Sequence, residues 1–395
     1  MKRIRLIVPI IVLQLGPGST LLRAQFSFKN RPVQIHGFAA QGFAKSDNNN
    51  YLTMDTSSGT FAFTDGGVNA TMQVTNRFRI GAQVYVRDIG SLGEWRPTID
   101  WAVADYKIND WLGIRGGKVK TVFGLYNDSQ DLAFLHTWAI LPQSLYPLDL
   151  RSSTIAHLGG DLYGDRPLPK GLGSVGYTVY SGRRFVDKYG GYRNVAEQAG
   201  AHMESITGLM AGADVRWNNP TLGLTLGASW LRMPFKGNGT IGALEVPATF
   251  RVNSRSAAFY VDYSNRGLHL TGERSRGSGA TSITGLPGVP IIEQNSIGWY
   301  ASAAYRISSK LEIGTYHSRF ISDTSEDWND PSNHIVDQTI TARIDIDRHW
   351  SVKAEMHVID GFGSVYSARG FYLKQNPGGF ERKTNLFILR AGYTF

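Results

Sequence analysis

The sequence predicts an all-β fold: a 16-stranded antiparallel transmembrane β-barrel with short periplasmic turns and long external loops. Three observations carry this. Apolar residues recur with a period of two along nearly the whole chain. Very short connections alternate with long polar ones, and the final segment is an alternating run that ends on Phe395.

The period is clearest in 78–87, where Phe78, Ile80, Ala82, Val84 and Val86 fall on one face and Arg79, Gln83, Tyr85 and Arg87 on the other. Leu222, Leu224, Leu226, Ala228 and Trp230 repeat it, as do Ile340, Ala342, Ile344 and Ile346. A helix would scatter each set around its axis, whereas a strand aligns it. The first eight strands are expected at 32–43, 66–75, 78–88, 98–108, 111–120, 156–165, 172–182 and 205–217. The second eight are expected at 222–232, 252–263, 266–275, 296–307, 310–320, 336–347, 350–360 and 384–395. Most approach the ~9–11 residues that a tilted strand needs to cross a bilayer.

The connections order these strands. Asn76-Arg77, Asn109-Asp110, Asn218–Thr221, Asn265, Ser308-Ser309 and Arg348-His349 are tight turns. Between them lie long segments: 44–65, 121–155, 183–204, 233–251, 276–295, 321–335 and 361–383. A sandwich has no reason to keep this two-strand rhythm; a membrane barrel does. Inside a bilayer every backbone amide must pair, and only closure removes the edges of a sheet. The apolar face therefore points to lipid, and the polar face lines the interior. Trp217, Trp230, Tyr263, Tyr393 and Phe395 lie near strand ends on the outer face, as interfacial girdles require.

Composition agrees. Charged residues make up 18% of 395 residues, against about a quarter in a soluble protein, and mean hydropathy is −0.21. There is no Cys, which excludes a disulfide scaffold, a Cys-type zinc site and thiol chemistry. Lys2, Arg3 and Arg5 followed by the apolar run Leu6–Leu15 read as a signal peptide over 1–25, leaving 26–395 as the barrel domain. Cleavage there removes four basic residues and lowers the net charge from +9 to +5, too little for a nucleic-acid-binding surface.

The segment Gly116-Gly117-Lys118-Val119-Lys120-Thr121-Val122-Phe123-Gly124-Leu125 resembles the end of the strand that precedes the third loop in bacterial outer-membrane porins. The similarity is to the phosphate-selective and the anion- and diacid-handling types, although Val122 stands where those families usually carry Pro. The aromatic-ended last strand is similar to the signal read by barrel-assembly machinery. The resemblance implies an outer-membrane location in a Gram-negative bacterium, a homotrimer, contact with outer-membrane lipid and lipopolysaccharide, and passive diffusion of small hydrophilic solutes. It also implies an inward-folded third loop, 121–155, that narrows the lumen.

That loop carries Asp128, Asp131, Asp149 and Arg151, and is too apolar over 132–141 to stand in water. It is expected to pack on the barrel wall with a short helix within 129–140; an external lid or a trimer contact is the alternative. Alternation places Arg79, Arg87, Arg115, Arg216, Arg343, Lys353 and Arg390 on the interior, and Lys118 and Arg151 flank the loop. With Asp128, Asp131 and Asp149 they form the candidate pore-lining or constriction set. Basic residues along a water-filled path suit weak, repeated contacts with carboxylate or phosphate, so a weak anion preference is expected. A non-conducting structural or adhesive barrel and an outer-membrane hydrolase are the alternatives.

No catalytic residue, cofactor or metal site is expected. Gly171-Leu172-Gly173-Ser174-Val175-Gly176 fits a dinucleotide fingerprint, but a strand follows it where a helix is required. The nine His show no zinc-type spacing, and neither His269 nor His317 has an identifiable nucleophile.

Overall fold

A computed structural model of the chain describes residues 25–28, 31–184, 189–285 and 288–395. The expected leader lies outside the described residues apart from Gln25. The described chain is one closed antiparallel barrel of sixteen strands. The first eight are β1 (Arg31–Ser46), β2 (Phe63–Gln73), β3 (Phe78–Ile89), β4 (Thr98–Asn109), β5 (Leu112–Lys120), β6 (Ala156–Pro167), β7 (Ser174–Arg184) and β8 (Ala201–Asn219). Next comes β9, which runs Leu224–Arg232 and Phe235–Ile241 around a break at Met233-Pro234; both parts pair with β8 and with the following strand. The remainder are β10 (Val246–Asn265), β11 (Leu268–Thr284), β12 (Ile292–Arg306), β13 (Leu311–Ile321), β14 (His334–Asp345), β15 (Trp350–Asp360) and β16 (Lys383–Thr394). A short strand, Gln25–Phe28, folds back on the start of β1.

Closure is made by β16 against β1, from Leu386 opposite Ser46 to Thr394 opposite Phe38. Gly37 and Phe395 exchange backbone hydrogen bonds of 3.2 and 3.0 Å, so the terminal aromatic residue is part of the seam. A Cβ on Gly37 would lie 2.4 Å from the Phe395 ring; only glycine leaves room for it.

Alternation sorts the two faces. Val68, Val84, Leu158, Leu226, Trp230, Phe259, Leu270, Ile340 and Leu389 are exposed on the outside, while Gln83, Tyr85, Asp105, Asp161, Asp214, Glu273 and Glu355 are buried inside. This inversion of a soluble protein is what a lipid-facing wall demands.

Two expectations need correction. Segments 183–204, 233–251 and 276–295 are not wholly loops. Strands β9 to β11 continue through much of the second and third, reaching 20 residues in β10 and 17 in β11, while the first holds a helix, Gly191–Gln198, before β8 begins at Ala201. In the extension of β10 the outward face turns polar (Arg251, Asn253 and Arg255) and the alternating apolar residues Ala248, Phe250 and Val252 lie inward, the reverse of the pattern in the lipid-facing part. No α-helix forms within 129–140: the chain makes two 3₁₀ turns, Asn127–Ser129 and Ala133–Leu135, and the nearest α-helical turn is α1, Arg151–Thr154.

Candidate functional site

The third loop, 121–155, turns into the barrel and crosses its lumen. Its neck is tied by Asn127, whose amide donates to the carbonyls of Thr121 (2.7 Å) and Thr154 (3.0 Å). The turn inward is made at Gly124 (φ +66°), whose N–H donates to Ser229 Oγ of β9 at 2.9 Å. A Cβ there would fall 2.0 Å from Glu273 Oε1 and 2.6 Å from the Tyr146 hydroxyl, which accounts for the glycine after Phe123. Tyr146 Oη accepts the N–H groups of Leu125 and Tyr126 and donates to Glu273 of β11 at 2.5 Å.

Beyond this the loop is held by its backbone. Lys353 of β15 donates to the carbonyls of Ala133, His136 and Trp138 at 2.5, 2.6 and 2.7 Å. Arg343 of β14 donates to the His136 carbonyl (3.0 Å) and Arg390 of β16 to that of Ala139 (2.6 Å). Glu355 accepts the N–H groups of Ala139 (2.6 Å) and Ile140 (3.3 Å). Thr137 donates to Glu312 and Arg390 pairs with Asp65. Three cations on carbonyl oxygens and one carboxylate on N–H groups form a complementary clamp, in which each charge meets the end of the peptide dipole that it needs.

The apolar residues of the loop complete the seal. Ala139 and Ile140 pack with Phe63, Ile89, Phe320, Ile335, Ile359 and Leu386 from the wall and with Tyr51, Leu52 and Phe371 from other loops. Trp138 and Leu141 join Tyr300 and Tyr316. The loop returns through Leu148, whose carbonyl accepts from Arg87, and Asp149, which accepts from Tyr372 Oη (2.6 Å) and Gly370 N–H (3.0 Å). Burial raises the Asp149 carboxyl above the usual range, and it lowers the His136 imidazole to about 4. Arg151 makes a two-pronged pair with Asp100 (3.1 and 2.9 Å) and lies 3.9 Å over the Tyr85 ring.

The expected site residues therefore separate into two groups. Arg87, Asp131, Asp149, Arg151, Lys353 and Arg390 are buried and hold the loop, with Arg343 beside them. Asp131 accepts from Lys120 and Gln83, and Asp128 offers its carbonyl to Lys120. The others line the opposite wall towards the short turns, each beside an acid. Arg79 meets Asp105 at 2.8 Å, Arg115 meets Asp161 at 2.7 Å and Arg216 meets Asp214 at 2.9 Å. In these pairs the basic and acidic side chains are exposed to 51% and 9%, 25% and 0%, and 34% and 2%. The acid is the concealed partner each time, so the face offered to water is guanidinium.

Lys118 belongs to neither group. It lies opposite the outward Leu158 in register and donates to the Ile99 carbonyl of the adjoining strand. The residues not anticipated are Asp65, Asp100, Lys120, Tyr146 and Tyr372. Asp100 is displaced from the alternation by a bulge: Gln83 faces Trp101 and Val84 faces Ile99, leaving Asp100 unpaired and turned inward.

No family model matches the chain, and no curated protein is matched in sequence. Solved structures share its architecture. OmpT, an outer-membrane protein of Vibrio cholerae, superposes with a TM-score of 0.59 at 12% identity, over 94% of this chain and 99% of that one. The outer-membrane channel DcaP of Acinetobacter baumannii gives 0.58 at 13%, over 94% and 99%. An anion-selective porin from Comamonas acidovorans gives 0.53 at 12%, over 92% and 100%. At such identities the likeness is one of fold.

Proposed function

We propose that the chain is an outer-membrane porin of a Gram-negative bacterium that passes small hydrophilic solutes by diffusion, with a weak preference for anions. The observation that carries this reading is the cationic edge of the interior wall. Arg79, Arg115 and Arg216 reach water while their acids are buried behind them, and Arg306 of β12 repeats the arrangement with Glu312 and Asp345. A dispersed row of half-paired guanidinium groups attracts carboxylate or phosphate without trapping it, as conduction requires. The similar structures, an outer-membrane channel and an anion-selective porin among them, support the same reading.

The reading includes a removable leader over 1–25, insertion by barrel-assembly machinery through the Phe395-ended strand, and a homotrimer; one solved OmpT structure is described as a trimer form. It has no catalytic step. His357 is engaged on both ring nitrogens, by Asp337 at 3.1 Å and by Glu355 at 3.2 Å, so neither is free to serve as a base.

The test is planar-bilayer recording of the purified chain. Stepwise conductance, in threes for a trimer, with a reversal potential on the anion side in a salt gradient is expected. A silent bilayer from demonstrably folded protein would instead favour the second reading, a closed structural barrel, for which the clamped third loop and its apolar packing are the specific observations.

A further inference from the structure

Three successive N–H groups at the elbow of the third loop reach buried carboxylates by the same two-step route. Gly124 N–H donates to Ser229 Oγ (2.9 Å), and Ser229 donates its own proton to Asp214 Oδ2 (2.6 Å). Leu125 and Tyr126 N–H donate to Tyr146 Oη (2.9 and 3.1 Å), which donates to Glu273 Oε2 (2.5 Å). A hydroxyl has one proton. Here each goes to a carboxylate oxygen, so the hydroxyl lone pairs face the loop. The direction of each chain is set by its acid, and bonds in such a chain strengthen one another.

The two acids differ in what else they hold. Glu273 takes the hydroxyls of Tyr146 and Tyr300 and makes no ion pair among the described residues. Asp214 takes Ser229 and Tyr260 (2.8 Å) on one oxygen and Arg216 Nε (2.9 Å) on the other. Its donors come from three neighbouring strands, β8, β9 and β10. Tyr260 reaches it across Gly227, which lies opposite both Arg216 and Tyr260; a Cβ on Gly227 would fall 2.2 Å from the Tyr260 ring. The centre of that ring lies 5.8 Å from the Arg216 guanidinium carbon. Asp214, Ser229 and Tyr260 are buried, whereas Arg216 reaches water. Among the described residues Arg216 itself bonds no atom of the loop, so the tie between them runs through Asp214.

We infer that Asp214 is a positioning residue for solute passage: one buried carboxylate aims Arg216 into the lumen and, through Ser229, anchors the elbow of the constricting loop. Charge and aperture at this level of the barrel are thereby set together. A guanidinium held at Nε keeps its two terminal nitrogens turned outward for an anion. When the elbow shifts, Ser229 turns with it, Asp214 loses a donor, and Arg216 loses its direction. The inference rests on the proposed passage of anions and names what fixes their preference.

The test compares Ser229→Ala with Tyr146→Phe. Both are charge-neutral and both break a route to the elbow, but only the first acts through Asp214. Hydrogen–deuterium exchange of the folded chain in detergent, read by mass spectrometry on peptides spanning 123–127, should speed up about tenfold in each, the size expected when a hydrogen bond tied to a charged group is lost. In planar bilayers under a potassium chloride gradient, Ser229→Ala should lower the chloride-to-potassium permeability ratio about twofold, and Tyr146→Phe should give less than half of that shift. Ser229→Thr, which keeps the hydroxyl, should restore both readouts. In an Arg216→Gln background Ser229→Ala should lower the ratio no further, because the group that it misdirects is already gone. A parent-like ratio in Ser229→Ala overturns the inference. So does an equal shift in Tyr146→Phe, since a loose loop would then suffice, and so does a Ser229→Ala shift that adds in full to that of Arg216→Gln. A parent chain silent in the bilayer counts against the channel reading instead. The tie is then judged on exchange in Asp214→Asn, where parent-like protection of 123–127 overturns it.

Discussion

The two sides of the lumen are built from the same kinds of residue and do opposite things. On the β13–β16 and β1–β3 side, charged groups are buried and spend their hydrogen bonds on the third loop: Lys353 on three carbonyls, Glu355 on two N–H groups, Arg390 on Ala139 and Asp65. On the β3–β8 side towards the short turns, Arg79, Arg115 and Arg216 are paired sideways along the wall and still reach water. A lumen arginine is thus not one kind of residue. Where a loop supplies carbonyl oxygens, the cation becomes structural; where none arrives, it stays open to water.

Breaking the clamp should give the largest effect. The Lys353→Met substitution takes one donor from each of three loop carbonyls: that of His136 keeps Arg343, that of Ala133 keeps the His136 N–H, and that of Trp138 is left without one, with Glu355 beside fewer cations. Unmet buried polar groups cost ~1–3 kcal/mol each, so the loop should leave the wall. Single-channel conductance should rise several-fold and thermal stability should fall, both measurable on one preparation. Unchanged conductance would mean that the packed side does not limit the path.

Gly124→Ala should come next. The left-handed φ and the 2.0 Å approach to Glu273 Oε1 leave no room for a methyl group. A loss of ~1–3 kcal/mol is expected, read as a lower thermal midpoint together with noisier current, because the loop enters the lumen at this residue.

The wet wall is sharpened by the Arg115→Glu/Arg216→Glu double variant. It should move the reversal potential towards cations with little change in conductance, since these side chains are partly exposed to water and hold no loop. Lys118→Glu, on the lipid side of β5 by register, should leave selectivity where it was.

The smallest effect is that of pH. Burial holds the His136 imidazole near 4, against about 6.5 when it is free. The docked loop therefore binds fewer protons than the undocked loop between those values. Docking stability is fully present above pH ~6.5 and is lost progressively as pH falls towards 4. Open-channel noise should grow across that window in the parent chain and less in His136→Gln.

The sixteen strands were legible because one face of each meets lipid and the other does not, which imposes the period of two. Beyond the lipid-facing band that contrast ends: in the continuation of β10 the outward residues are Arg251, Asn253 and Arg255, while the alternating apolar ones, Phe250 and Val252, turn inward. Apolar residues 132–141 correctly pointed to a loop packed on the wall. Which cations hold it was not legible, because Lys353 and Arg79 have the same place in the alternation. Only the path of a loop more than two hundred residues away in sequence separates them. Asp100 was hidden by its bulge, which shifts it off the face that counting assigns.

The absence of Cys makes one measurement decisive, since a single introduced thiol is unique. Thr178 of β7 faces the water-lined side, beside Asp214 in register, and Thr339 of β14 is buried under the clamp. A cationic methanethiosulfonate reagent added during bilayer recording should step the current of Thr178→Cys down within seconds and leave that of Thr339→Cys unaltered. Equal modification of both, or of Thr339→Cys alone, would contradict a solute path confined to the wet side.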